Sequence, residues 1–137
     1  LGTVDAVSPT YRTQPEGFAD QPVFSNAVCR LWTTQEPWQL IAELLAIQRR
    51  VSGPRSFTMG PRALDLDLLL FGTWVLDMPG LVLPHPRMAE RQFVLRPLAD
   101  IAPGLVHPAL GETVSSLLGQ LGSGTGSAEG RSLLPGV

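Results

Sequence analysis

Asp65 and Asp67 stand two residues apart inside an apolar run, Ala63-Leu64-Asp65-Leu66-Asp67-Leu68-Leu69-Leu70-Phe71-Gly72. In a strand, residues i and i+2 point to one face. The two carboxylates therefore sit side by side, while Leu64, Leu66 and Leu68 face the core. Like charges this close repel, and a divalent cation resolves the repulsion. Oxygen ligands with a few waters suit magnesium, which bridges to substrate phosphates. In isolation, such a pair is more often an ordinary solvated strand face. The surroundings favour chemistry. Residues 44–64 carry Arg49, Arg50, Arg55 and Arg62 and no acid. Arginines beside a metal-binding acid pair are the parts that phosphoryl transfer needs, since its catalysis is mostly positioning and charge neutralisation. A solvated basic loop balancing nearby acids is the plainer reading. Downstream, His85 lies between Pro84 and Pro86, with Arg87 and Arg91 close behind. The prolines stiffen the backbone around the imidazole. On the N-terminal side, Thr13, Phe24 and Asn26 bring a hydroxyl, a ring and an amide towards one strand end. Stacking plus an amide suits a flat heteroaromatic ring; alone, Phe24 reads equally as core and Asn26 as a turn or ladder residue.

The elements that must hold these groups follow from pattern. Residues 1–12 and 23–33 read as strands, separated by a polar loop. Residues 36–50 are the clearest helix, with Pro37 in the first turn, Thr34 or Gln35 near the cap, and Leu40, Ile41, Leu44, Leu45 and Ile47 spaced by three and four. Residues 51–62 read as an exposed loop. The acid-bearing run reads as a strand, paired across a Gly-Thr turn with Trp74-Val75-Leu76-Asp77. Residues 87–98 carry a modest helical signal, 107–121 a short helix, and from Gly122 the chain turns Ser/Gly-rich and is expected to fray.

Composition bounds the rest. The chain has 137 residues, a one-domain length, with 44% hydrophobic and 16% charged residues, enough for a packed core. Its 14 Gly and 13 Pro predict short elements and many turns. All 10 basic residues are arginine, which holds phosphate bidentately. A net charge of −2 argues against coating nucleic acid or an anionic membrane. The single Cys29 excludes an internal disulfide and a cysteine-cluster metal site. No apolar run approaches the roughly 18 residues of a membrane span, and no secretion leader is visible. Neither a P-loop nor a dinucleotide fingerprint is present.

The segment Gly60-Pro61-Arg62-Ala63-Leu64-Asp65-Leu66-Asp67-Leu68-Leu69-Leu70-Phe71-Gly72 resembles the signature of the 6-hydroxymethyl-7,8-dihydropterin pyrophosphokinases. The blocks at 83–103 and 8–28 resemble two further stretches of that family, and together the likeness covers nearly all of 3–121 in order. The resemblance implies an α/β (α+β) fold, a ferredoxin-like sandwich with a mostly antiparallel sheet and flanking helices. It implies transfer of diphosphate from ATP to the hydroxymethyl group of the pterin, releasing AMP. Two magnesium ions are expected on Asp65 and Asp67, with Asp65 also near the hydroxymethyl group. Arg55, Arg62, Leu68, His85 and Arg91 are expected on the ATP side, and Thr13, Phe24, Asn26 and Phe93 around the pterin. Asp65, Asp67 and Arg62 form the implied catalytic set.

The sequence departs from the family pattern in places. The family's opening strand, glycine turn and helix do not precede Leu1, so the domain, 1–121, is expected to lack its first strand and helix and to be marginal in stability. The remainder, 122–137, is expected to be a disordered tail. Gln48 stands where the family has glutamate, Ser52-Gly53 where it has Gly-Arg, Met59 where an aromatic or asparagine is usual, and Gly80 where an arginine is expected. A cytoplasmic monomer, with possible fusion to other folate-pathway enzymes, completes the expectation. The alternatives are a pterin-binding module of the same fold without turnover, and a ferredoxin-like RNA-binding domain, against which the acidic balance and missing aromatic motif count.

Overall fold

The computed structural model describes residues 1–13, 24–53 and 64–124. The chain is of the α+β class, built from antiparallel strand pairs and three α-helices. Strand β1 (Thr3–Val7) pairs antiparallel with β4 (Cys29–Trp32), and β2 (Tyr11–Thr13) with β3 (Phe24–Asn26). The first two expected strands are thus each broken in two. At the break, Ser8 donates its amide to the Val28 carbonyl at 2.8 Å, and its hydroxyl oxygen accepts the Val28 amide at 2.9 Å. The ladders among the described residues are three separate pairs rather than one continuous sheet.

Helix α1 (Pro37–Ser52) forms where its apolar periodicity predicts, with Pro37 supplying a pre-set φ at the first position. Its cap is Glu36, one residue beyond the expected Gln35, and the Gln39 side chain accepts the Glu36 amide at 2.9 Å. Gly53 ends the helix at a φ of 77°, a conformation that costs glycine little.

The acid-bearing run corrects the expected pairing. Residues 64–70, expected as a strand, form neither strand nor helix and make no ladder with Val75–Asp77; the turn over Gly72-Thr73 closes as expected, with the Trp74 amide on the Phe71 carbonyl at 3.0 Å. Instead β5 (Leu76–Met78) pairs with β6 (Leu81–Leu83). Pro79 fixes one turn dihedral and Gly80 takes a φ of 81°, the combination a tight turn needs, so the local hairpin forms.

A single 3₁₀ turn (Met88–Glu90) leads into α2 (Gln92–Ile101), which begins later and ends later than 87–98. Helix α3 (Val114–Gly124) packs on α2; it begins at Val114 rather than near 107 and runs past the expected boundary at 121, and residues 125–137 lie outside the described residues. The core joins Met88, Leu95, Leu98, Val114 and Leu117, and Val28, Leu69 and Leu70 pack against it. Leu69 and Leu70 thereby tie the end of the acid-bearing run to the core. Burying one such side chain contributes roughly 1.5–3 kcal/mol.

Candidate active site

Side chains along 64–68 alternate: Leu64, Leu66 and Leu68 are half-buried, while Asp65 and Asp67 face solvent. The expected common face for the two acids is therefore present. The backbone of this run is held by side chains. Leu66 donates its amide to the Gln48 side-chain oxygen at 2.8 Å, and Leu64 donates its amide to the Ser52 hydroxyl at 3.0 Å. The same hydroxyl donates back to the Leu64 carbonyl at 3.1 Å. Further along, His85 donates its amide to the Leu69 carbonyl at 2.8 Å. That bond docks the Leu83-Pro84-His85-Pro86 turn onto the acid-bearing run.

Within this turn, His85 Nδ1 accepts the Arg87 amide at 3.2 Å. The neutral ring then carries its proton on Nε2, a donor suited to an anionic oxygen. Burial, together with the positive charges of Arg91 and Arg87, holds the imidazole below its ordinary value, while Asp67 pulls the other way. Asp67 also acts on Arg91, opposing the lowering that burial and Arg87 impose on that guanidinium. One acid of the pair, the histidine and two arginines therefore share one electrostatic neighbourhood. Arg91 is 9% exposed and its guanidinium lies over the Phe93 ring. Beside the turn opens a cleft of about 340 Å³, lined in part by Val82, His85, Pro86 and His107.

Phe93 connects this cluster to the candidate ring site. Helix α2, which carries Phe93, packs on β2 and β3. In that hairpin Thr13 is the register partner of Phe24, and Tyr11 that of Asn26. The Tyr11 hydroxyl donates to the Asp100 carboxylate on α2, fastening hairpin to helix. Asn26 Nδ2 is buried with no hydrogen-bond partner among the described residues. A buried donor left unmade costs about 1–3 kcal/mol, so a ligand acceptor there recovers it.

Arg55 and Arg62, with Met59, lie outside the described residues. Leu68 is half-buried beside the acids. Among the described residues, no cluster of three or more His, Cys, Asp or Glu could hold a metal ion by itself. Two exposed carboxylates still fit a magnesium ion, which keeps waters and takes substrate oxygens as further ligands. Sequence reading missed the roles of Gln48 and Ser52; a polar i, i+4 pair near the end of an amphipathic helix was the available signal. The departures that fall within the described residues have local work to do. Gln48 and Ser52 hold the acid-bearing run, and Gly53 and Gly80 adopt left-handed backbone that arginine would resist.

A model of the family 7,8-dihydro-6-hydroxymethylpterin-pyrophosphokinase matches residues 1–103. The chain belongs to this family. A pyrophosphokinase relative from Pseudomonas aeruginosa, named 2-amino-4-hydroxy-6-hydroxymethyldihydropteridine pyrophosphokinase, is 50% identical over 103 residues, 75% of this chain and 64% of that protein. The protein of the same name from Bacillus subtilis is 41% identical over 99 residues, 72% of this chain and 59% of that one. The folic acid synthesis protein fol1 of Pneumocystis carinii is 42% identical over 109 residues, 80% of this chain but 15% of its own length. The chain thus spans less than two thirds of each of these pyrophosphokinase relatives.

Proposed function

We propose that the chain transfers diphosphate from ATP to the hydroxymethyl group of 6-hydroxymethyl-7,8-dihydropterin and releases AMP. In this reading the hydroxymethyl oxygen bonds to the β-phosphorus as the bond to the α–β bridging oxygen breaks. The hydroxyl proton leaves to solvent. The observation that carries the reading is Arg91, which feels the charge of Asp67 while standing over Phe93. A group that meets polyphosphate and a group that meets a flat ring are neighbours, as a reaction joining the two requires.

The residues divide the work. Asp65 and Asp67 hold magnesium, which when bound neutralises the triphosphate. Arg91, with Arg55 and Arg62, clamps phosphate oxygens bidentately, and Leu68 lies on the same side. His85 offers its Nε2 proton to a phosphate oxygen as a neutral donor. Phe93 and Phe24 stack the pterin, the Asn26 amide donates to a ring acceptor, and Thr13 supplies a hydroxyl. Little covalent chemistry falls to the protein, so positioning and charge account for the rate. Among the described residues, no helix is long and apolar enough to cross a membrane. We place the activity in the cytoplasm, in folate synthesis.

A module that binds pterin without turnover is the second reading, favoured by Gln48, Gly53 and Gly80. The local roles of those residues weaken it, and the family match sets aside RNA binding. The test is AMP release from ATP, magnesium and hydroxymethyldihydropterin. AMP formed in step with pterin diphosphate supports the transferase. Pterin binding with no AMP supports the module.

A further inference from the structure

We propose that Gln48 and Ser52 are positioning residues for the acid pair: the last turn of α1 acts as a side-chain substitute for a neighbouring strand. Calling the acids metal-binding rests on the transferase reading; the clip itself rests on geometry. On an extended chain, the backbone groups of residues i and i+2 point to the same edge. Leu64 and Leu66 are such a pair, and three hydrogen bonds with α1 side chains land on them. Gln48 and Ser52 are four residues apart in the helix and so share a face. Gln48 is 6% exposed, and its amide oxygen would have no reason to be buried without the Leu66 amide.

The consequence for the acids is orientational. Asp65 lies between the two anchored residues and Asp67 directly follows the second. Fixing that edge points both carboxylates to the solvent face, and the leucines inward. A slip of one residue reverses the two faces. Gln48 thus acts on the backbone between the acids, and through it sets where their carboxylates stand. Partners of this kind typically control metal affinity by 10–100-fold. A neutral glutamine does this without adding a third negative charge behind the pair.

The experiment compares the full chain with Gln48→Met, Gln48→Glu and Ser52→Ala. Amide exchange is read at Leu64 and Leu66, and Mn²⁺ binding is followed by electron paramagnetic resonance with a non-hydrolysable ATP analogue. Gln48→Met keeps the side-chain volume and removes the acceptor. We expect Leu66 exchange to speed up about tenfold and the Mn²⁺ dissociation constant to rise about tenfold. Gln48→Glu restores an acceptor, so Leu66 protection returns to that of the unaltered chain. Ser52→Ala accelerates Leu64 alone, and it keeps the proposal testable should Gln48→Met fail to fold. Unchanged Mn²⁺ affinity in Gln48→Met, or unchanged exchange at Leu66, overturns the positioning role. Failure of the unaltered chain to release AMP defeats the transferase reading instead, and leaves the exchange and Mn²⁺ comparisons intact.

Discussion

The guanidinium carbon of Arg91 lies 5.7 Å from the centroid of the Phe93 ring. Such a contact contributes roughly 0.5–2 kcal/mol depending on desolvation. Here it also fixes a planar guanidinium, a group able to hold phosphate bidentately, beside an aromatic ring. Lysine cannot reproduce either property. Arg91→Lys should therefore weaken binding of an ATP analogue by about tenfold or more, with little change in pterin affinity. Calorimetric titration of each ligand decides it, and equal nucleotide affinity would count against phosphate contact at Arg91.

Asn26 offers a separation of stability from binding. Its buried Nδ2 has no partner among the described residues. Asn26→Ala removes that unsatisfied donor, so the melting temperature should not fall. Pterin affinity should drop at least tenfold, since a donor to the ring is gone. Loss of stability with unchanged pterin binding would reverse the assignment.

Acid should destabilise the fold. Burial holds His85 and His107 below the ordinary imidazole value. Each binds a proton more readily when unfolded, so stability rises with pH where they titrate. Their contribution is fully present above the unfolded value of about 6.5 and is lost as pH falls through the folded values. Melting temperatures should fall between about pH 7.5 and pH 5.5. Asp67→Asn removes the carboxylate that pulls His85 upward, so the His85 ring should titrate lower still. An NMR titration measures both effects. A folded His85 titrating above the free imidazole value would contradict the burial argument.

Leu95 is fully buried between α2 and α3. Leu95→Ala should cost about 2–5 kcal/mol, a large share of the roughly 5–15 kcal/mol that a domain has. Urea unfolding should show a lower midpoint with an unchanged slope. At a temperature where the variant is folded, nucleotide affinity should match that of the unaltered chain, because Leu95 contacts the core and not the acids.

Much of this was legible in the sequence, and the limits have physical causes. Helix α1 was readable because its apolar period is local. So was the common face of Asp65 and Asp67, which depends only on extended backbone. The partner of that run was not readable. Pairing is a long-range choice, and the Pro79-Gly80 turn offered Leu76–Met78 a nearer partner in Leu81–Leu83. The breaks at Ser8 and Val28 were hidden for a similar reason, since propensity continues through them. The helical signal over 87–98 stopped short of the observed end, and α2 carries Pro97 and runs to Ile101. At the site, the neighbourhood of Asp67, His85 and Arg91 could be guessed from residue types. Gln48 could only be read as a departure until its hydrogen bond to Leu66 was known.

The Ser52–Leu64 contact has a consequence for how this stretch of chain can change over generations. Its two hydrogen bonds join residues 12 apart in sequence. The two residues that bracket the intervening sequence are thus held together. Closing a longer loop costs little, about 0.6 kcal/mol per doubling. Insertions or deletions between Ser52 and Leu64 can therefore accumulate without disturbing the aspartates downstream. The tie insulates Asp65 and Asp67 from length variation next door.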